Sequence, residues 1–135
     1  MATYVLGIDV GKTTVVAAMW QAGAGRVVGD FPNTPVGWEA LAAALPADAP
    51  TLLVVEPTGG YELALIAWAS QRGWCVSRPN PRHVRAWATG RGRRVKTDRQ
   101  DAVLLAQYGA ECAPPHVGRA ADRGERAGQS AASPR

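Results

Sequence analysis

The chain opens on an apolar run. Thr3 to Val10 sets Tyr4, Val5, Leu6, Ile8 and Val10 around one carboxylate, Asp9, and predicts a buried strand. Gly11-Lys12 is a turn. Two more β-branched runs follow, Thr13 to Trp20 and Arg26 to Phe31, with short glycine-containing connections as in antiparallel hairpins. After Pro35 the period changes. In Val36 to Leu45, residues Trp38, Leu41, Ala42 and Leu45 share one side of a helix, and Pro46 ends it. Thr51 to Glu56 is a short apolar strand that ends in a carboxylate, followed by the turn Pro57-Thr58-Gly59-Gly60. Tyr61 to Gln71 predicts a helix stopped by Gly73. Trp74 to Ser77 is another short strand, and Pro81 to Thr89 a helix with proline in its first turn. Gly90 to Lys96 is a pliable basic loop, and Thr97 opens a last helix that runs to about Ala110.

The predicted order is β-β-β-α-β-α-β-α-α. Three hairpin strands followed by alternating helices and strands imply an α/β fold, a mixed five-stranded sheet with helices on its faces. From Ala113 the text becomes Ala, Gly, Pro, Arg and polar residues around one large aliphatic side chain, Val117. Such a stretch cannot bury enough to order itself. The expected organisation is therefore a domain over 1–111 and a disordered tail over 112–135.

Composition agrees with a globular domain: 47% hydrophobic and 19% charged residues exclude a polar, disordered chain. No apolar run approaches the roughly 20 residues of a membrane span. The opening MATYVLGIDV has no basic region ahead of its apolar stretch, so a cytoplasmic location is expected. Cys75 and Cys112 form no CxxC pair, which argues against both zinc and a disulfide framework. Cys75 reads as a small buried hydrophobe.

Charge is unevenly spread. Residues 1–77 hold three basic and six acidic residues, whereas residues 78–101 hold eight basic and two acidic ones. A mildly acidic body with one basic segment points to a polyanionic partner, for which nucleic acid is the usual choice. A solvated cationic loop would carry the same text.

Four acidic residues stand where chemistry could use them. Asp9 and Glu56 end strands ahead of glycine-bearing turns, so both can meet at one rim of the sheet. Asp98 and Asp101 are three apart, which puts them on one helical face. Thr97 as N-cap and Gln100 at N3 fit a capping box that would hold both in the first turn. Singly, each has a plain alternative. Asp98 suits a helix N-terminus, Asp101 could pair with Arg99 or Lys96, and Glu56 could cap the Pro-Thr-Gly-Gly turn. Asp9 is harder to explain away, because a carboxylate among apolar neighbours must be paired or bound to metal. Clustered carboxylates raise one another's pKa unless a divalent cation neutralises them, and all-oxygen ligands favour Mg²⁺ or Mn²⁺. Such a site suits phosphodiester chemistry.

Beside it, Arg82, Arg85, Arg91, Arg93, Arg94, Lys96 and Arg99 could track phosphates. Trp87 reads as a helical residue packed on the sheet in preference to a base-stacking platform. GIDVGKTT is not a Walker A loop: Gly7 and Gly11 have three residues between them, one of them acidic. The first phosphate loop of the actin, Hsp70 and sugar-kinase superfamily is a nearer rival, but its nucleotide site needs a second lobe.

The segments GIDVGK, EPTGGYE and NPRHVRAWATGRGRRVKTDRQDAVLLAQYG, in this order over about residues 3–111, resemble the N-terminal domain of the DEDD insertion-sequence transposases, the IS110 family. The resemblance implies a ribonuclease H-like, RuvC-like fold. It also implies a tetrad of Asp9, Glu56, Asp98 and Asp101 that is catalytic and binds Mg²⁺ or Mn²⁺. DNA cleavage and strand exchange, a structured guide RNA and a homo-oligomer are implied for the full-length protein, with a second domain carrying a nucleophilic serine. After LLAQYGAE the text departs from the family, as a truncated or frameshifted end would. The readings kept open are a transposase catalytic domain, a Holliday-junction-type nuclease on the same fold, and a non-catalytic nucleic-acid-binding remnant.

Overall fold

Two tight turns make the first three strands a meander. The computed structural model describes residues 3–112; the expected tail lies, but for Cys112, outside the described residues. Strand β1 (Val5–Val10) pairs antiparallel with β2 (Thr14–Gln21), and β2 with β3 (Ala24–Pro32). At the second turn Ala22 and Gly23 both take positive φ, 53° and 77°, the conformation that a two-residue hairpin loop matched to strand twist demands. The chain then runs through α1 (Pro35–Ala43), β4 (Leu52–Val55), α2 (Leu63–Gln71), β5 (Val76–Ser77), α3 (Pro81–Gly90) and α4 (Asp98–Cys112). This is the predicted order of elements.

The sheet order is β3-β2-β1-β4-β5, with β1–β4 and β4–β5 parallel. The central pair is buried on both faces: Leu6, Ile8, Leu53, Val54 and Val55 are fully inaccessible. Both faces must therefore be covered, as parallel strands require. One face packs Leu6, Ile8, Val10, Val15 and Val55 with Trp38 and Leu41 of α1 and Leu65 of α2. Ala42 and Leu45 lie against that core, so the helical face read from the sequence is the one that packs. On the other face, Val5 and Val54 meet Leu104 and Leu105 of α4 and Val84 of α3. The result is the α/β, ribonuclease H-like arrangement expected from the sequence.

Strand alternation sends Val5, Gly7 and Asp9 to the α4 face. There α4 approaches closely enough that a Cβ on Gly7 would meet the Ala102 carbonyl oxygen at 2.2 Å and the Ala106 amide nitrogen at 2.4 Å. This contact sets the register between helix and strand. From Ala102, one helical turn back covers about 6 Å and reaches Asp98. Two residues on from Gly7 cover about 7 Å and reach Asp9. The antiparallel run of α4 over β1 thus delivers the helix's first turn to the strand's last carboxylate.

Candidate active site

Asp9 and Glu56 are neighbours at one rim because β1 and β4 are parallel and in register, Ile8 beside Val55, one residue before each. Across from them stands the first turn of α4. Its N-terminus is held as the capping residues suggested: the Gln100 amide donates to Thr97 Oγ1 at 3.1 Å. The return bond differs by one residue, since Gln100 Oε1 accepts from the Lys96 amide, at 2.7 Å. Thr97→Ala should lower stability by about 1 kcal/mol, the usual cost of an N-cap. A thermal melt should read this as a fall of several degrees.

The Asp9 carboxyl lies within electrostatic reach of those of Asp98 and Asp101. Burial, and after it the neighbouring Asp98 and Asp101 carboxyls, push its pKa up to about 8. Glu56 is pushed up to about 7 by burial and by the charge of Asp101, against the pull of Arg85. Asp101 is raised by burial and by the charge of Asp98, while its interaction with Asp9 works the other way. The four sequence-predicted carboxylates therefore form one interacting group. Among the described residues no three or more His, Cys, Asp or Glu side chains stand in a ready-made ligand cage. The chemistry of the four carboxylates nonetheless suits a hard divalent cation: the donors are all oxygen, Asp9, Glu56 and Asp101 are half-buried, and like charges gathered there call for a counter-ion.

The basic residues separate into groups. Arg85, Arg93 and Arg94 line a cleft of about 420 Å³ together with Glu56 and Asp101. Arg93 also hydrogen-bonds to Gln107 Oε1. Arg91 is turned away to Glu111, at 2.6 Å, and lies over the Trp87 ring. Arg99 pairs with Asp30 at 3.3 Å, not with Asp101. Arg82 and Lys96 are exposed, and their backbone amides serve the caps of α3 and α4. Trp87 packs edge-on against Tyr108, as a structural tryptophan does.

Two rim residues escaped the sequence reading. Glu62, only 2% exposed, accepts from the Thr58 and Gly60 amides and faces Arg78 at 3.7 Å. Burial pushes it up, but these amides, its own amide and Arg78 outweigh that and hold the carboxyl below its usual value. Glu62, not Glu56, therefore holds the turn after β4, and this leaves Glu56 to the cluster. Its signal was a second acid just past the two glycines. Asn33 donates through Nδ2 to the carbonyls of Gly11 and Tyr61, each at 3.1 Å, and accepts from Trp38 Nε1 at 2.9 Å. It ties the turn after Asp9 to the loop after Glu56, and nothing local in the sequence marks it.

With this geometry in view, the similarities to known proteins fall on the same segments. The family model of the DEDD transposases of the IS110 type matches residues 6–122. Pilin gene-inverting proteins of Moraxella lacunata and of Moraxella bovis are each 37% identical to the chain over 124 residues, which is 85% of it. The chain spans 37% of the length of these relatives. Among the described residues no helix is long and apolar enough to cross a membrane.

Proposed function

Because this chain belongs to the DEDD transposase family of the IS110 type, we propose that it is the metal-binding, DNA-cleaving domain of a DNA recombinase. Asp9, Glu56, Asp98 and Asp101 are its ligand set and catalytic residues. The observation that carries this reading is that Asp9 and Asp98 line one cleft at the rim and Glu56 and Asp101 line the arginine cleft, with Asp98 and Asp101 together in the first turn of α4. Mg²⁺ or Mn²⁺, when bound, supplies charge neutralisation at the phosphate and activation of an attacking oxygen.

The side chains divide the remaining work. Glu56 and Asp101 face the cleft, and Arg85, Arg93 and Arg94 draw the DNA backbone to them. Glu62 and Asn33 keep the two strand-end loops in place. The name of the pilin gene-inverting relatives describes a DNA rearrangement, and we extend that class of event to the longer protein of which such a domain is part. A structured guide RNA, homo-oligomerisation and a separate nucleophilic serine belong to the same reading through the family resemblance.

The test is DNA binding under salt titration. In fluorescence anisotropy with a labelled branched DNA, Arg85→Ala/Arg94→Ala should weaken binding. It should also flatten the salt dependence by about 0.9 for each phosphate no longer neutralised. A double variant with the wild-type slope and affinity would remove the proposed DNA path.

A further inference from the structure

We propose that the tip of the β1–β2 hairpin is a second phosphate subsite for the DNA strand, formed by Lys12 with the Thr13 and Thr14 hydroxyls. It lies on the flank of the carboxylates opposite the arginine cleft. The inference rests on the DNA-cleaving reading above and adds to it the other half of the strand's path.

A second cleft, of about 400 Å³, lies at the rim. It is lined by Asp9 and Asp98 from the carboxylate group and by the hairpin tip from Gly11 to Thr14. The arginine cleft is lined by Glu56 and Asp101. Asp98 lines one cleft and Asp101 the other, and both stand in the first turn of α4, so the two clefts meet at the carboxylates. A polyanion laid across this centre is repelled on both flanks, yet the arginines relieve only one. On the other flank, the remaining acid, Asp30, is already countered by Arg99. The cation lining that cleft is Lys12.

The backbone of the tip is arranged to suit an anion. The Gly11 amide donates to the Thr14 carbonyl at 2.8 Å, which closes a two-residue loop. Asn33 takes two of the other three carbonyls: Gly11 through Nδ2 at 3.1 Å and Thr13 through its own amide at 2.9 Å. Three oxygens that would repel a phosphate are thus used inside the protein. The tip offers the cleft an ammonium and two hydroxyls, all exposed and without a side-chain hydrogen bond or ion pair among the described residues. Asn33 is itself anchored on Trp38 and Tyr61, so the loop loses little freedom on binding.

The experiment compares wild type, Lys12→Ala, Lys12→Arg and Arg85→Ala for binding of the same labelled branched DNA across a salt series. Lys12 is exposed at a turn, so Lys12→Ala should melt as wild type does. Its salt slope should fall by about 0.9, the share of one neutralised phosphate. Lys12→Arg should retain the slope. If Arg85→Ala weakens binding while Lys12→Ala leaves slope and affinity unchanged, the subsite is wrong and the DNA-cleaving reading stands. If neither substitution matters, both fall.

Discussion

Gly7→Ala is expected to cost the domain a large part of its stability and, with it, the assembly of the carboxylates. The added Cβ would sit 2.2 Å from the Ala102 carbonyl oxygen and 2.4 Å from the Ala106 amide nitrogen. Both are backbone atoms of a helix, and neither can rotate aside. Helix α4 must lift from the sheet, opening the packing that buries Ala102, Leu105 and Ala106. Overpacking a core typically costs about 1–3 kcal/mol when side chains can yield; here they cannot, so the upper end or beyond is expected. Against a net stability of about 5–15 kcal/mol, a thermal melt should fall by on the order of 10 °C or more. Gly109→Ala provides the contrast. Its Cβ would press on the Val54, Val5 and Leu52 side chains, which can shift. The smaller loss should therefore come at Gly109. Equal melting temperatures for Gly7→Ala and wild type would refute the proposed role of this close approach in setting the helix register.

Asp9→Asn is expected to abolish the response of the chain to divalent cations and to weaken its loss of stability with rising pH relative to wild type. In the folded chain Asp9 titrates at about 8, against 3.8 for the ordinary carboxyl, and Glu56 at about 7 against 4.5. A raised folded-state value means that the folded form holds its proton more tightly. The stability tied to that proton is complete below the ordinary value. It drains away as the pH climbs through the folded one. Without metal, wild type should therefore lose stability steadily between about pH 4 and about pH 8. Glu62 works in the opposite sense but only at the acid end, where its lowered value makes protonation destabilising. The asparagine variant lacks the largest of these penalties, so it should melt higher than wild type above about pH 8. Adding Mg²⁺ or Mn²⁺ there should raise the wild-type melting temperature, because binding to the folded form alone stabilises it. The same addition should leave Asp9→Asn unmoved. Differential scanning fluorimetry across a pH series, with and without each ion, reads both effects. A cation shift of wild-type size in the variant would take Asp9 out of the ligand set.

The features legible in the amino-acid order are local and periodic. The apolar runs placed β1 and β4, and the change of period after Pro35 placed α1 with its buried face. The Thr97–Gln100 pairing marked the start of α4, and the three-residue spacing put Asp98 and Asp101 on one face of it. Asp9 could be singled out because a carboxylate within an apolar strand has few structural explanations. Each of these signals lies within a few residues, where side-chain direction follows from backbone period alone.

Which of these pieces meet was settled only by packing in three dimensions. Asp98 reaches Asp9 because Gly7 lets the backbone of α4 approach β1 across roughly ninety residues of chain, and the absence of one methyl group has no period to betray it. Charge partners were likewise settled by proximity in space. Arg99 goes to Asp30 and Arg91 to Glu111, while Arg85, Arg93 and Arg94 are left around the cleft. The turn after β4 is held by Glu62, although Glu56 stands next to it in sequence. A flexible charged side chain takes the partner that folding brings within reach, and that partner depends on packing between elements distant along the chain.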